Sequence, residues 1–148
     1  MGGRHDYSAV FAADRTDARI SLRLLPPDIV ERIHYYPPAL RAARFLNDRL
    51  TEHVRLEDAA RAAGMERCAF SRFFSARIGM TFSDFARALR VERAVDALDA
   101  RDVGIGELGA SVGITHSSTF VRAFRRVVGC TPSQYKKRRI GSREEDYR

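Results

Sequence analysis

Apolar residues in the latter two thirds of the chain recur at helical spacing. Over residues 56–63, Leu56, Ala59, Ala60 and Ala63 fall at i, i+3, i+4 and i+7, the stripe of an amphipathic helix. Gly64 follows, the residue type that most readily takes the left-handed conformation ending a helix. A second helix over residues 67–78 buries Ala69, Phe70, Phe73, Phe74 and Ile78, and Gly79 stops it. Two short helices about a glycine-bearing turn make a helix-turn-helix. The same pattern places helices at residues 105–112 and 117–128, with the turn at Gly113 and the stop at Gly129. Between the pairs, residues 81–99 read as one helix about 28 Å long. Its apolar faces are Phe82, Phe85, Leu89, Val91, Val95 and Leu98, while Arg87, Arg90 and Arg93 are expected to face water or phosphate. Thr81 and Asp84 resemble a capping box, with Asp in place of Glu. Thr131-Pro132-Ser133-Gln134 starts a last helix, with a capping Thr, a Pro at the first helical position and a Gln that can reach back. It carries Tyr135 inward and Lys136, Lys137, Arg138 and Arg139 outward. Ahead of these, residues 39–50 form a helix with Ala43, Leu46 and Leu50 on one side, begun by Pro37-Pro38.

The two helix pairs are copies of each other. At a shift of 49 residues Leu56 meets Ile105, Asp58 meets Glu107, Gly64 meets Gly113 and Met65 meets Ile114. One inserted residue later, at a shift of 50, Phe70 meets Phe120, Arg72 meets Arg122, Phe74 meets Phe124 and Gly79 meets Gly129. Thr131, Ser133 and Tyr135 then answer Thr81, Ser83 and Phe85. An ordered series with matching chemistry means one supersecondary unit used twice. A purely structural helical hairpin would show the same apolar stripe, but both copies carry Arg on the polar face of their second helix.

Only the N-terminus departs from helical spacing. Over residues 18–25, Ile20, Leu22 and Leu24 alternate with Arg19, Ser21 and Arg23, which reads as a strand. Residues 7–12 can pair with it as a β-hairpin. A lone hairpin is marginal in water, so it must pack on the helices, pair with another chain or stay mobile. The expected fold class is therefore all-α, two helix-turn-helix units joined by a long helix, with a short arm.

Composition narrows the function. The chain has 148 residues, 45% of them hydrophobic, enough to bury a core without disulfides or metal. No apolar run approaches the roughly 20 residues that span a bilayer, and no signal peptide is visible. Cys68 and Cys130 are too few for a structural zinc site, and a cytoplasmic location is expected. His5, His34, His53 and His116 lack ligand spacing, and no phosphate loop, triad or carboxylate pair emerges. Neither an enzyme, a cofactor nor a metal site is expected. The net charge is +7, carried almost wholly by Arg, whose planar guanidinium suits phosphate and guanine. A solvated basic surface would give the same total. The distribution says more: Arg122, Arg125, Arg126, Lys136, Lys137, Arg138 and Arg139 follow one another without an acidic residue, a patch that attracts polyanions.

In each second helix the aromatic stripe faces the core, so the other face meets solvent or a groove. That face holds Arg67, Cys68, Ser71, Arg72 and Ser75 in the first unit. In the second it holds Ser117, Ser118, Thr119, Arg122, Arg125 and Arg126, with His116 at the helix entry. Lys136 and Lys137 add backbone cations. A thiol beside Arg67 ionises more readily, which opens a redox-switch reading of Cys68; a small neutral residue on a groove face is the plainer one.

Phe120-Val121-Arg122-Ala123-Phe124-Arg125-Arg126, then Gly129, Thr131-Pro132 and Tyr135, resemble the C-terminal signature of the AraC/XylS family of bacterial transcription regulators. Arg90-Val91-Glu92-Arg93-Ala94 with Leu98 resembles that family's connecting helix. The resemblance covers about residues 39–139. It implies sequence-specific binding of double-stranded DNA through two adjacent major-groove segments, with RNA polymerase as a further partner, and makes Arg72 and Arg122 the leading base contacts. A module that binds RNA polymerase or another regulator without touching DNA is the competing reading. The chain departs from the family at Ile114 (usually Phe), Glu66 (usually a Ser-like cap), Gly109 (usually Ala) and Cys68. The domain division expected is an arm at 1–37, a DNA-binding domain at 38–140 and a disordered tail at 141–148. Within that domain the first unit spans about 39–80, the connector about 81–100 and the second unit about 104–138. The arm is too short for a small-molecule sensor domain, and is expected to be a remnant or accessory that DNA binding does not need.

Overall fold

Prolines or side-chain caps begin most of the helices. The computed structural model describes residue 20, residues 22–100 and residues 103–145. The helices are α1 (Pro27–Tyr35), α2 (Pro37–Asp48), α3 (Leu56–Ala62), α4 (Arg67–Ile78), α5 (Phe82–Ala100), α6 (Ile105–Ser111), α7 (Ser117–Val128) and α8 (Pro132–Glu145). Pro opens α1, α2 and α8, where its missing N–H costs nothing and its φ is preset. At α8 the box closes both ways: Gln134 N donates to Thr131 Oγ1 at 3.2 Å and Thr131 N donates to Gln134 Oε1 at 3.0 Å. At α5 only half of it forms. Asp84 N donates to Thr81 Oγ1 at 3.1 Å, but the Asp84 carboxylate turns to Arg87 at 2.9 Å. Left-handed glycines, Gly79 and Gly129, end α4 and α7.

The core falls into two clusters, and α5 is a wall of both. Its first half gives Phe82, Phe85, Ala88 and Leu89 to a cluster with Ile33, Leu46, Phe70, Phe74 and Ile78. Its second half gives Val91, Ala94, Val95 and Leu98 to a cluster with Leu108, Phe120 and Phe124. Ring contacts knit each cluster: Phe74 lies 5.3 Å from Phe82, and Phe124 lies 5.9 Å from Tyr135, each edge to face. Each large side chain buried here contributes about 1.5–3 kcal/mol.

Three sequence expectations need correction. Part of the expected arm belongs to the core. Residues 22–25 form a turn, with Leu25 N donating to Leu22 O at 3.2 Å, where a strand was expected. Leu22, Leu25, Ile29 and Ile33 are all buried. The expected partner strand, residues 7–12, lies outside the described residues, as do 18, 19 and 21. The helix α1 has nine residues between Pro26 and Tyr36, and its aliphatic positions are Ile29, Val30 and Ile33, fewer than the four that mark the stripe over residues 56–63. At the other end α8 continues through Gly141 to Glu145 where a disordered tail was expected, and residues 146–148 lie outside the described residues. Arg143 explains part of this, because its guanidinium donates to the Asp99 carbonyl at 3.2 Å.

The third correction concerns Arg90, expected in water and found buried at 8% exposure. Its guanidinium donates to the carbonyls of Leu50, Val112 (2.9 Å) and Glu52 (3.1 Å). Helix ends leave such carbonyls without partners, and a planar group with five donors can serve several at once. Burial holds its pKa below the usual Arg range. Arg93 is half-buried as well, 3.7 Å from Glu92 and 3.4 Å from Asp96.

Ile33→Ala should therefore cost about 2–5 kcal/mol by chemical denaturation, the range for emptying a buried aliphatic site. Removal of residues 1–36 should lower stability by more and weaken DNA binding through that loss. A deletion that melts like the parent chain would show that α1 is not part of the core.

Candidate nucleic-acid interface

Each helix-turn-helix is built to hold its second helix with one face on the core. In the first unit Phe70, Phe74 and Ile78 are buried, and Arg67, Cys68, Arg72 and Ser75 are exposed with Ser71 half-exposed. In the second, Phe120, Ala123 and Phe124 are buried, and His116, Ser117, Ser118, Thr119, Arg122, Arg125 and Arg126 are exposed. Shallow depressions mark both outer faces. Leu56, Arg67, Cys68, Ser71 and Arg72 line one, and Ser117, Ser118, Val121, Arg122, Arg125 and Arg126 line the other. The structure thus brings together the sequence-predicted residues of each helix.

Their charges are not equally available. Arg67 is paired with Glu57 at 3.1 Å, tying the start of α4 to α3. Hydrogen bonding to its own backbone, then the Arg67 contact, holds the Glu57 carboxyl below the ordinary range. Among the described residues no carboxylate pairs with Arg72, Arg122, Arg125 or Arg126 within 4.0 Å. Lys136 is engaged, its Nζ donating to the Val103 carbonyl at 3.1 Å. Arg139 is ion-paired with Asp99, and Tyr135 donates to the same carboxylate at 2.7 Å. Burial, then that bond, raises the Tyr135 phenol. Of the outward set expected on α8, Lys137 and Arg138 stay exposed, while Lys136 and Arg139 hold the helix to the preceding structure. No group of three or more His, Cys, Asp or Glu is placed to hold a metal ion among the described residues. Nor is any helix among them long and apolar enough to cross a membrane.

Residues 59–138, more than half of the chain, match the family model described as a helix-turn-helix domain. The fold is that of an AraC-type DNA-binding-domain protein from Chromobacterium violaceum, at a TM-score of 0.65 with 23% identity over 70% of this chain and 92% of that one. The chain belongs to the AraC-type helix-turn-helix family of transcription regulators. It is 34% identical over 126 residues to the HTH-type transcriptional regulator RipA of Corynebacterium glutamicum, covering 79% of this chain and 38% of RipA. To RipA of Corynebacterium diphtheriae it is 44% identical over 69 residues, 47% of this chain and 20% of that protein. The chain thus spans less than two fifths of these curated relatives. The DNA-binding domain of AdpA, a global transcriptional factor solved in complex with a target DNA, superposes at a TM-score of 0.64. It is 27% identical, over 73% of this chain and 96% of that one.

Two departures from the AraC-type pattern have physical explanations. Glu66 does the work of the Ser-like cap: its carboxylate accepts from Cys68 N at 3.0 Å and Ala69 N at 3.1 Å, and an acid also suits the positive end of the helix dipole. Gly109 is forced by close approach. A Cβ there would sit 2.9 Å from both the Ile114 carbonyl and the Phe120 ring, tighter than van der Waals contact allows.

Sequence reasoning missed one pair of residues. At the shift of 49 that aligns the units, Arg41 meets Arg90. Arg41 donates to the Ala63 carbonyl at 2.8 Å, and Arg90 to the Val112 carbonyl at 2.9 Å. Ala63 and Val112 are themselves 49 apart, each closing the first helix of its unit. The repeat thus extends back through α2 and α5. The signal lay in the shift, but the alternating Arg and apolar residues there read as a surface.

The Glu66 cap should be visible in acid. Hydrogen bonds from the Cys68 and Ala69 backbone hold its carboxyl below the ordinary value of 4.5. A lowered folded value adds stability above the unfolded pKa and loses it as pH falls through the folded one. Glu66→Gln, an acceptor without charge, should melt with less acid sensitivity in that window. Parallel melting curves against pH for the two proteins would show that Glu66 does not stabilise α4 as a carboxylate.

Proposed function

We propose that the chain is the DNA-reading part of a transcription regulator, and that one chain reads two adjacent major-groove segments, one with α4 and one with α7. The carrying observation is the duplicated outer face, with Arg72 and Arg122 at equivalent positions and neither ion-paired within the described chain. Arg can grip O6 and N7 of guanine with two parallel bonds. Ser71, Ser75, Ser118 and Thr119 offer donors and acceptors for bases or phosphates. Arg125, Arg126 and Lys137 supply charge for the backbone, contacts that position without reading sequence. Cys68 and Ser117 complete the two faces, and His116 stands at the entry of α7. Likeness to AdpA, bound to a target DNA, supports the reading. A regulator of this kind acts with RNA polymerase at the promoter, in the bacterial cytoplasm.

The two reading faces differ in sequence, so the preferred site is asymmetric. Arg72→Ala and Arg122→Ala should each weaken binding to it by about 1–3 kcal/mol and relax discrimination at different base positions. Lys137→Ala should weaken all sequences alike and flatten the salt dependence by about one charge. Inserting about five base pairs between the segments turns them to opposite faces of the duplex and should abolish tight binding. Equal losses on every sequence for both Arg variants would reduce those residues to phosphate contacts. Binding that ignores salt would favour a protein partner instead of DNA.

A further inference from the structure

Arg41 and Arg90 hold the same place in the two repeats, yet their reach differs. Arg41 donates to the Ala63 carbonyl at 2.8 Å, wholly inside the first unit. Arg90 donates to the Val112 carbonyl at 2.9 Å in the second unit, and to the carbonyls of Leu50 and Glu52 (3.1 Å) in the first. The latter two belong to the loop between α2 and α3. Here the units meet backbone to backbone. A Cβ on Gly113 would collide with the Leu50 carbonyl and the Arg90 guanidinium, whereas one on Gly64 would lie 3.7 Å from Arg41. Gly113 also has φ +83°, so no other residue fits this junction without strain.

We propose that Arg90 is a positioning residue that fixes the roll of the second unit against the first, and so sets the phase between the two reading helices. A shared helix fixes the distance between two units along its axis. Rotation of one unit about that axis is opposed only by contacts off the axis. Apolar packing is non-directional and tolerates small rotations, whereas hydrogen bonds weaken steeply when misaligned. Arg90 supplies directional bonds from one side chain on α5 to both units at once. Lys could not replace it, because a point charge on a flexible stem lacks the planar fork that meets several carbonyls together. Val127 touches both clusters, and the turn at residues 22–25 gives Leu22 and Leu25 to one and Leu24 to the other. Without Arg90 the units stay attached, with their relative angle loosened.

The consequence for DNA rests on the two-segment reading above, but the coupling is a property of the free chain and can be measured without DNA. Cys68 on α4 is exposed and Cys130 is buried, so spin labels at Cys68 and at Ser118→Cys report the separation of the reading helices. Pulsed dipolar spectroscopy of the full chain should give one narrow distance peak. That peak should broaden or split in Arg90→Met and stay narrow in Arg41→Met, with Arg90→Lys intermediate. On an unlabelled chain, Arg90→Met should also lose discrimination between correctly spaced and half-turn-shifted segments while still binding single segments. If Arg90→Met does not fold, Arg90→Lys decides. A peak as narrow as the parent's in the folded Arg90 variants, or equal broadening in Arg41→Met, would overturn the proposal. Loss of spacing discrimination in the parent itself, with its narrow peak intact, would count against two-segment reading and leave the positioning role standing.

Discussion

A helix-turn-helix has two short helices and cannot bury its own apolar face; both copies here depend on α5 as a shared wall. Among the described residues, the buried stripes of α4 and α7 are both answered along that helix. Its first half closes the cluster of Phe70, Phe74 and Ile78, and its second half the cluster of Leu108, Phe120 and Phe124. Burial of both halves leaves little of α5 for solvent and forces its Arg90 and Glu92 inside. Each charge then needs partners, since an unpaired buried charge is costly. Arg90 finds three carbonyls, and Glu92 accepts from the backbone N–H groups of Arg23 and Leu24, each at 3.4 Å. The buried ionic groups of the connector thereby recruit the N-terminal turn and the loop ahead of α3 into one structure.

The same logic sorts the basic residues into two kinds. Arg23, Arg93 and Arg139 lie against Glu92, Asp96 and Asp99 of α5. These pairs sit partly out of water and shape the protein. On α7, Arg122, Arg125 and Arg126 have no such partner within the described chain, and their helix dips into no core on that side. An anion approaching the outer face of α7 therefore meets cations that need not first release an internal carboxylate.

Much of this was legible in the sequence because helical period, glycine stops and caps agree with one another. The boundaries of α4 and α7 were readable from Phe70, Phe74, Phe120 and Phe124 together with Gly79 and Gly129. Four things were hidden for physical reasons. The helix α1, between proline pairs, offers only Ile29, Val30 and Ile33 as aliphatic positions, too few to mark a stripe. Arg90 was placed in water because arginine usually is, and only the carbonyls of Leu50, Glu52 and Val112, distant in sequence, reverse that. The paired Arg41 and Arg90 were in plain view at the repeat's own shift, but their role is hydrogen bonding to backbone, which side-chain chemistry does not announce. On the outer face of α4, Arg67 is exposed as expected and yet committed to Glu57, a pairing across the turn that helical period alone does not show.

In the proposed two-segment reading, the duplication inside one chain, and not pairing of two chains, supplies the length of the recognition site. Hydroxyl-radical footprinting on the preferred site, with the bound mass measured on the same complex, tests it most directly. One chain per duplex is expected, protecting two patches on one face about one helical turn or 34 Å apart, with different bases in each patch. Two chains on a palindromic site, each protecting a single patch, would contradict it.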